Sequence, residues 1–492
     1  MQHKFHAFLV CVTGIFVTVF DTSSSIVALP TIALQFGTDL PTAQWVILGN
    51  SLTIAALLVP LGRLSDTIGR KRIYVLGCCL FAVGAVLASV SSGIYTLIGA
   101  RVLVGIGSSM TQSTAMAIMI GSYGVHERAR VLGWQMTGVG LGAIVGPATG
   151  GLIVGTVGWR ALFAMTAAAM IVIAIAGGLV LERRDTPRRL EGSFDAAGAL
   201  LFSCLLIAAL LALTLGPRYG WTEPRALINY ALIVVFGAAF VAVERRSKAP
   251  LLDVSLFRVG AFGLGALSAV VAFMGVSATR FLAPFFFQGV KGIDPSGVGL
   301  LMMPAAVVTA VAGPFVGRFA DRLGVRLFVN LGMSIALLGL LQFCLLEAES
   351  PVWLVVAALM TMALGLSTFS APNSTSMLNA VDAHSHGFAS GFVNLCRNTG
   401  NVIGIAFGTA FVTLTMASAG YPPSLDNVGP RADQGLLEAF TEGLSMAAAA
   451  LLVLTFAVLV VLLVWTRRRA LRASQAVERA AARQSSASSA QR

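Results

Sequence analysis

Apolar residues run almost unbroken for about 18 to 28 positions at a time, and short clusters of charged, Gly and Pro residues separate the runs. A helix rises 1.5 Å per residue, so about 20 residues match a hydrocarbon core about 30 Å thick. The first six runs are Phe5 to Leu29, Ala43 to Leu61, Ile73 to Val90, Ile94 to Ile120, Val131 to Val157 and Arg160 to Leu181. Eight more follow: Ala196 to Leu215, Ala226 to Val243, Gly260 to Phe287, Gly297 to Val316, Leu327 to Leu346, Val352 to Pro372, Phe388 to Met416 and Leu444 to Trp465. Only helices or closed barrels satisfy their backbone groups in lipid, and barrel strands would alternate over about ten residues. The pattern therefore predicts an all-α polytopic membrane protein with 14 transmembrane helices. The first run is longer than a signal-peptide core, and Ala28-Leu29-Pro30-Thr31 is a poor cleavage site, so it is expected to be a retained helix.

Composition strengthens this reading. Of 492 residues, 57% are hydrophobic and 11% charged, too little polar surface for a compact soluble protein. Lys and Arg report orientation, because basic loops stay cytoplasmic. With the N-terminus inside, 25 of the 33 fall in cytoplasmic segments, and only Arg160, Arg218, Arg225, Lys291 and Arg431 lie outside. An even number of spans then places both termini in the cytoplasm, and the basic tail 467–492 lies free or along the anionic inner leaflet. The net charge of +12 thus reflects topology, and no soluble basic domain is present to bind nucleic acid. The six Cys all lie in apolar runs, where packing is the expected role and disulfides are not expected. Arg outnumbers Lys 29 to 4, which points to a G+C-rich, bacterial gene and an inner-membrane location.

A basic loop occurs twice. After the second run the chain reads Gly62-Arg-Leu-Ser-Asp66-Thr-Ile-Gly69-Arg70-Lys71-Arg72, and after the tenth Gly317-Arg-Phe-Ala-Asp321-Arg-Leu-Gly324-Val-Arg326. The loops are 255 residues apart, and Pro60 and Pro314 precede them one residue off that shift. Two matched bundles of six helices around a two-helix spacer account for the recurrence. The expected boundaries are an N-terminal bundle 1–181, a linker and spacer 182–258, a C-terminal bundle 259–466 and the tail 467–492. The glycines permit a tight turn, and the Asp suits a helix cap or a conformational latch across the bundle interface. Basic anchoring alone would explain Arg70, Lys71 and Arg72, but not the spacing of Gly and Asp.

This loop and arrangement resemble the major facilitator superfamily, in particular its fourteen-span drug:proton antiporters of the EmrB/QacA type. Gly62, Leu64, Asp66, Gly69, Arg70 and Lys71 match the family's loop, with Thr67 at a usually basic position. The stretch Asp21-Thr-Ser-Ser-Ser-Ile-Val-Ala28-Leu29-Pro30 resembles the first-helix signature, with Ile26 where the family has Asn. Arg101-Val-Leu-Val104-Gly105-Ile-Gly107 resembles the fourth-helix motif, whose Arg the family links to proton transfer, with Val104 in place of Gln. Gly138-Val-Gly140-Leu-Gly142-Ala-Ile-Val-Gly146-Pro147-Ala-Thr-Gly150-Gly151 resembles the fifth-helix motif typical of exporters. Physically, Gly142, Gly146, Gly150 and Gly151 permit close helix approach, and Pro147 removes a donor and bends the helix.

An aspartate in a span costs a few kcal/mol unless it faces protein or water, so Asp21 is expected to be paired or functional. Asp21 and Arg101 lie eight and seven residues from the outer ends of their runs, so they sit level and are candidates for proton coupling. A static pair that only fixes packing is the alternative. Arg280 and Arg397 have no acid within a span to answer them besides Asp21. Snorkelling or a carbonyl bond is as good a reading for Arg280 as a place in the substrate cavity. Trp45, Asn50, Gln112, Gln135 and Asn394 are further cavity candidates, as are Trp134 and Met136, though packing accounts for each as well.

The expected function is proton-coupled efflux of small hydrophobic compounds by alternating access, in a monomer whose partners are its substrate, protons and lipid. A symporter of the same fold and a non-transporting sensor are the alternatives. His3, His6, His126, His384 and His386 all fall at cytoplasmic ends or loops, so no intramembrane catalytic or metal cluster forms and no enzyme is expected. No phosphate-binding Gly-rich loop with Lys and Ser/Thr appears, which leaves an ion gradient and no cofactor.

Overall fold

The computed structural model describes residues 2–122, 128–181, 196–219, 224–246, 260–381, 386–421 and 433–490. Every apolar run is a helix, and no strand occurs among the described residues. The helices are α1 (Gln2–Phe36), α2 (Trp45–Ile68), α3 (Arg70–Ser89), α4 (Ile94–Ser122), α5 (Arg128–Thr156), α6 (Trp159–Val180) and α7 (Ala196–Tyr219). They continue as α8 (Pro224–Glu244), α9 (Gly260–Phe285), α10 (Pro295–Leu323), α11 (Val325–Cys344), α12 (Val352–Leu378), α13 (His386–Ser418) and α14 (Gln434–Ala490). A one-turn helix, Leu40–Ala43, precedes α2, and α9 runs on into a π-helical turn, Phe286–Val290. Thirteen helices, over their described residues, are long and apolar enough to cross a bilayer. In α7 the described apolar stretch is Ala197–Ala209.

At the C-terminus the backbone of α14 stays helical through Ala490. Its many Ala and Arg residues are strong helix formers, so the helix continues after the apolar residues end.

The helices pack in a pattern that repeats eight helices later. In the first half α3 lies on α4 and α6, α1 on α4, α5 and α6, and α2 on α4. The corresponding pairs in the second half are α11 with α12 and α14, α9 with α12, α13 and α14, and α10 with α12. Small residues make the tightest pairs possible. A Cβ at Gly107 of α4 would stand 2.4 Å from the Phe81 nitrogen of α3, and one at Gly332 of α11 2.5 Å from the Phe369 nitrogen of α12. Two seams join the halves, α5 against α10 and α2 against α13, while α7 lies over α2 and α13 and carries α8.

The repeated loop makes the same turn in both places. Gly69 (φ 108°) and Gly324 (φ 99°) close α2 and α10, each donating its N–H to the carbonyl four residues back, Ser65 or Ala320, at 3.0 Å. Gly62, read from the sequence as a turn glycine, instead lies inside α2, where its position faces Ser113 of α4. An added Cβ at Gly69 meets nothing within 4 Å, so Gly69→Ala isolates the backbone strain. Its expected cost is about 1–3 kcal/mol, read as a lower unfolding temperature in detergent with the apolar packing untouched.

Candidate functional site

Asp21 and Arg101 meet in the interior of the first half. Arg101 Nη1 donates to Asp21 Oδ2 at 2.7 Å, and both side chains are 0% exposed. The pair joins α1 to α4 because Asp21 lies on the face of α1 turned toward α4 and α6. Thr166 of α6 donates to the other carboxylate oxygen at 3.4 Å, and Arg101 Nε donates to the Val46 carbonyl of α2 at 3.2 Å. The guanidinium carbon stands 5.3 Å from the Phe163 ring centroid, while Nη2 is buried with no hydrogen-bond acceptor. Four helices of one half thus converge on one charge pair in low dielectric. Any protonation of Asp21 has to break or weaken this network.

The burial pattern of α1 shows what the pair adjoins. From its N-terminal end, Val12, Phe16, Val19 and Thr22 are partly exposed at helical spacing, and then Ser23 through Pro30 are all buried. In α9, Val270, Phe273, Val276 and Arg280 are partly exposed at the same spacing, and Phe281 through Phe287 are all buried. Both central helices therefore line a cleft that opens toward the N-terminal end of α1 and stops at the level of Thr22 and Arg280. Asn50, 1% exposed, donates to Thr22 Oγ1 at 3.4 Å, and Arg280 Nη2 donates to Ser23 Oγ at 2.9 Å.

Beyond that level the halves are sealed. Gln288, in the π-turn, donates to the Val27 carbonyl at 3.0 Å and accepts from Thr31 Oγ1 at 3.1 Å. Ser296 Oγ donates to the Gly151 carbonyl at 3.4 Å. The fifth-helix glycines divide their work by face. Gly142, Gly146 and Gly150 lie against Phe16, Ser23 and Ser24 of α1, whereas Gly151 and the Pro147 carbonyl lie against Gly299 of α10. A Cβ at Gly299 would stand 2.4 Å from the Pro147 oxygen. This seal is an interhelix backbone contact with no room for a methyl group.

The same contacts refine the repeat. Gly142 meets Phe16 and Val19 as Gly400 meets Val270 and Phe273, and Gly146 meets Phe20 as Gly404 meets Met274. Helices α1 and α9 are related by 254 residues, not the 255 of the loops, because one extra residue separates Pro314 from Gly317 compared with Pro60 and Gly62. Arg280 accordingly occupies the counterpart of Ile26, one residue from the Ser25 that the loop spacing indicates. Asp21 corresponds to Gly275, so the second half has no matching acid.

Of the remaining candidates, Trp45 is partly buried against the main apolar core, and Gln112 is partly exposed on α4. Asn394 is partly exposed on α13. The side chains of Gln135, Trp134, Met136, Asp66 and Asp321 lie outside the described residues. Arg70 donates to the Ala117 carbonyl of α4 at 3.1 Å. Lys71 donates to the carbonyls of Gly178, at 2.8 Å, and Leu181 at the inner end of α6. These described contacts cap helix C-termini within the first half. Thr166 and Gly299 carried no signal in the sequence: a lone hydroxyl or glycine in an apolar helix is ordinary until its neighbour is known.

A family model described as Major Facilitator Superfamily matches residues 11–405 and 265–489. The chain belongs to this superfamily. Among its relatives, the riboflavin transporter RibZ of Clostridioides difficile is 28% identical over 84% of this chain and 89% of its own. The multidrug resistance protein Stp of Mycobacterium tuberculosis is 30% identical over 85% of this chain and 77% of its own. Among solved structures, a bacterial homologue of the human lysosomal transporter Spinster, inward-facing and unoccupied, superposes with a TM-score of 0.68 at 17% identity. That match covers 94% of this chain and 97% of the other, and it shows the fold. The chain is thus a multi-pass membrane transporter of the superfamily, with drug-efflux and antibiotic-resistance proteins among its relatives.

Proposed function

We propose that this member of the superfamily exports small hydrophobic compounds in exchange for protons, by alternating access. The observation that carries the reading is the fully buried Asp21–Arg101 pair beside the closed end of an inward-opening cleft. A carboxylate there can exchange a proton only when the surrounding helices move, and such movement is what coupling requires. The relationship to the resistance protein Stp and the exporter-type fifth helix support the outward direction. We assign fourteen crossings, two six-helix bundles around an α7–α8 spacer, both termini in the cytoplasm and a monomeric working unit. The distribution of Lys and Arg and the repeated packing pairs support these assignments. The proton gradient is the proposed energy source, without cofactor.

In inverted bacterial membrane vesicles, an acid-inside gradient is expected to drive accumulation of a lipophilic dye, and a protonophore to collapse it. Accumulation that ignores the gradient would count against antiport. A second reading, proton-coupled uptake of a metabolite, draws on the relationship to a riboflavin transporter. In right-side-out vesicles it predicts inward movement with protons.

A further inference from the structure

The closed end of the inner cleft differs chemically from its walls. Along α1 the wall is Val12, Phe16 and Val19, and along α9 it is Val270, Phe273 and Val276, all apolar. At the end stand Thr22, Asn50 and the guanidinium of Arg280. Arg280 has one hydrogen-bond partner, the neutral Ser23 hydroxyl, and no carboxylate of a described residue pairs with it. The nearest acid in sequence register, Asp21, is already engaged by Arg101. Arg280 is the last partly exposed residue of this row on α9, since every residue above it up to Phe287 is buried. Among the described residues near this end, Asn50 Oδ1 and Ser25 Oγ are buried without a hydrogen-bond partner, and neither can neutralise a cation. An uncompensated guanidinium away from bulk water is unfavourable unless an anion or polarised group visits it.

We infer that Arg280 is the recognition residue for an anionic head group, so that the preferred substrates are amphiphiles with an apolar body and one negative charge. The head group docks at Arg280, Thr22 and Asn50, and the body lies along Phe16, Val19, Phe273 and Val276. Arg280 also bonds α9 to α1 through Ser23, and an arriving anion competes with that bond. Substrate and the contact that joins the halves then draw on the same guanidinium. The inference deepens the transport reading above and rests on it for the direction of movement, though not for binding.

The test compares two probes with one aromatic skeleton, the anionic anilinonaphthalene sulfonate and the neutral phenylnaphthylamine. Their radiolabelled forms are bound to the purified full-length protein in nanodiscs. The wild type is expected to prefer the sulfonate by at least about tenfold, since a charge-assisted bond is at stake. Arg280→Gln is expected to lose that preference through the sulfonate alone, and Arg280→Lys to keep most of it. Unchanged binding of the neutral probe certifies that the variants are folded. Equal affinity of the wild type for both probes, or a parallel loss of both in Arg280→Gln, overturns the inference. Proton-driven movement of the same probes in proteoliposomes separates the two readings. Selective binding without proton-driven transport leaves the anion site standing and defeats antiport, whereas driven transport of both probes without selectivity does the reverse.

Discussion

Asp21→Asn is expected to abolish proton-driven export while leaving a folded, substrate-binding protein. The amide keeps the shape of the carboxylate and still offers Arg101 an acceptor, so the link between α1 and α4 survives. It cannot carry the exchangeable proton. Counter-gradient export in proteoliposomes should therefore fall to the level of empty liposomes, while gradient-independent exchange of substrate across the membrane persists. The reciprocal change is harsher. Arg101→Leu removes the cation and leaves a buried carboxylate with only a 3.4 Å contact from Thr166, a loss of about 3–5 kcal/mol. Asn at Asp21 in the same chain should restore much of that stability, because no unpaired charge is then buried. If Asp21→Asn exports against a gradient as the wild type does, the pair is a packing device and the proton moves elsewhere.

Gly299→Val is expected to disturb the seal between α5 and α10 without removing any polar side chain. The added Cβ would stand 2.4 Å from the Pro147 carbonyl oxygen, and Gly151 is equally close to the Pro295 carbonyl, so neither backbone can retreat without separating α5 from α10. Overpacking of this kind costs about 1–3 kcal/mol, which is roughly a fivefold to hundredfold change in the ratio of sealed to open states. Val27, 0% exposed and just beyond the end of the cleft, reports it. With the native cysteines replaced by alanine, Val27→Cys should resist an impermeant maleimide added from outside and become labelled when Gly299→Val is present. Labelling that does not change would mean that α5 and α10 are not the outer gate.

Much of this protein was legible in one dimension. Span lengths and helical class follow from hydrophobicity summed along a single helix, a local property that needs no neighbour. The cost of charge in lipid singled out Asp21, Arg101 and Arg280 for the same reason. The repeat, too, was visible, because duplicated turns require the same Gly in the same strained backbone, as at Gly69 and Gly324.

Contacts between helices were not legible, since they depend on rotation and axial register set jointly by many small residues. The loops are 255 residues apart and helices α1 and α9 254, and that one-residue difference turns a helix by about 100°. Only the tertiary structure decided that Asp21 meets Arg101 and Thr166, that Arg280 takes a serine hydroxyl in place of a carboxylate, and that Gly151 faces α10 while Gly150 faces α1. The sequence alone determined which charges the membrane would have to tolerate. Packing decided which of them was satisfied: Asp21 and Arg101 neutralise each other, whereas Arg280 is met by a serine hydroxyl and by no carboxylate of a described residue.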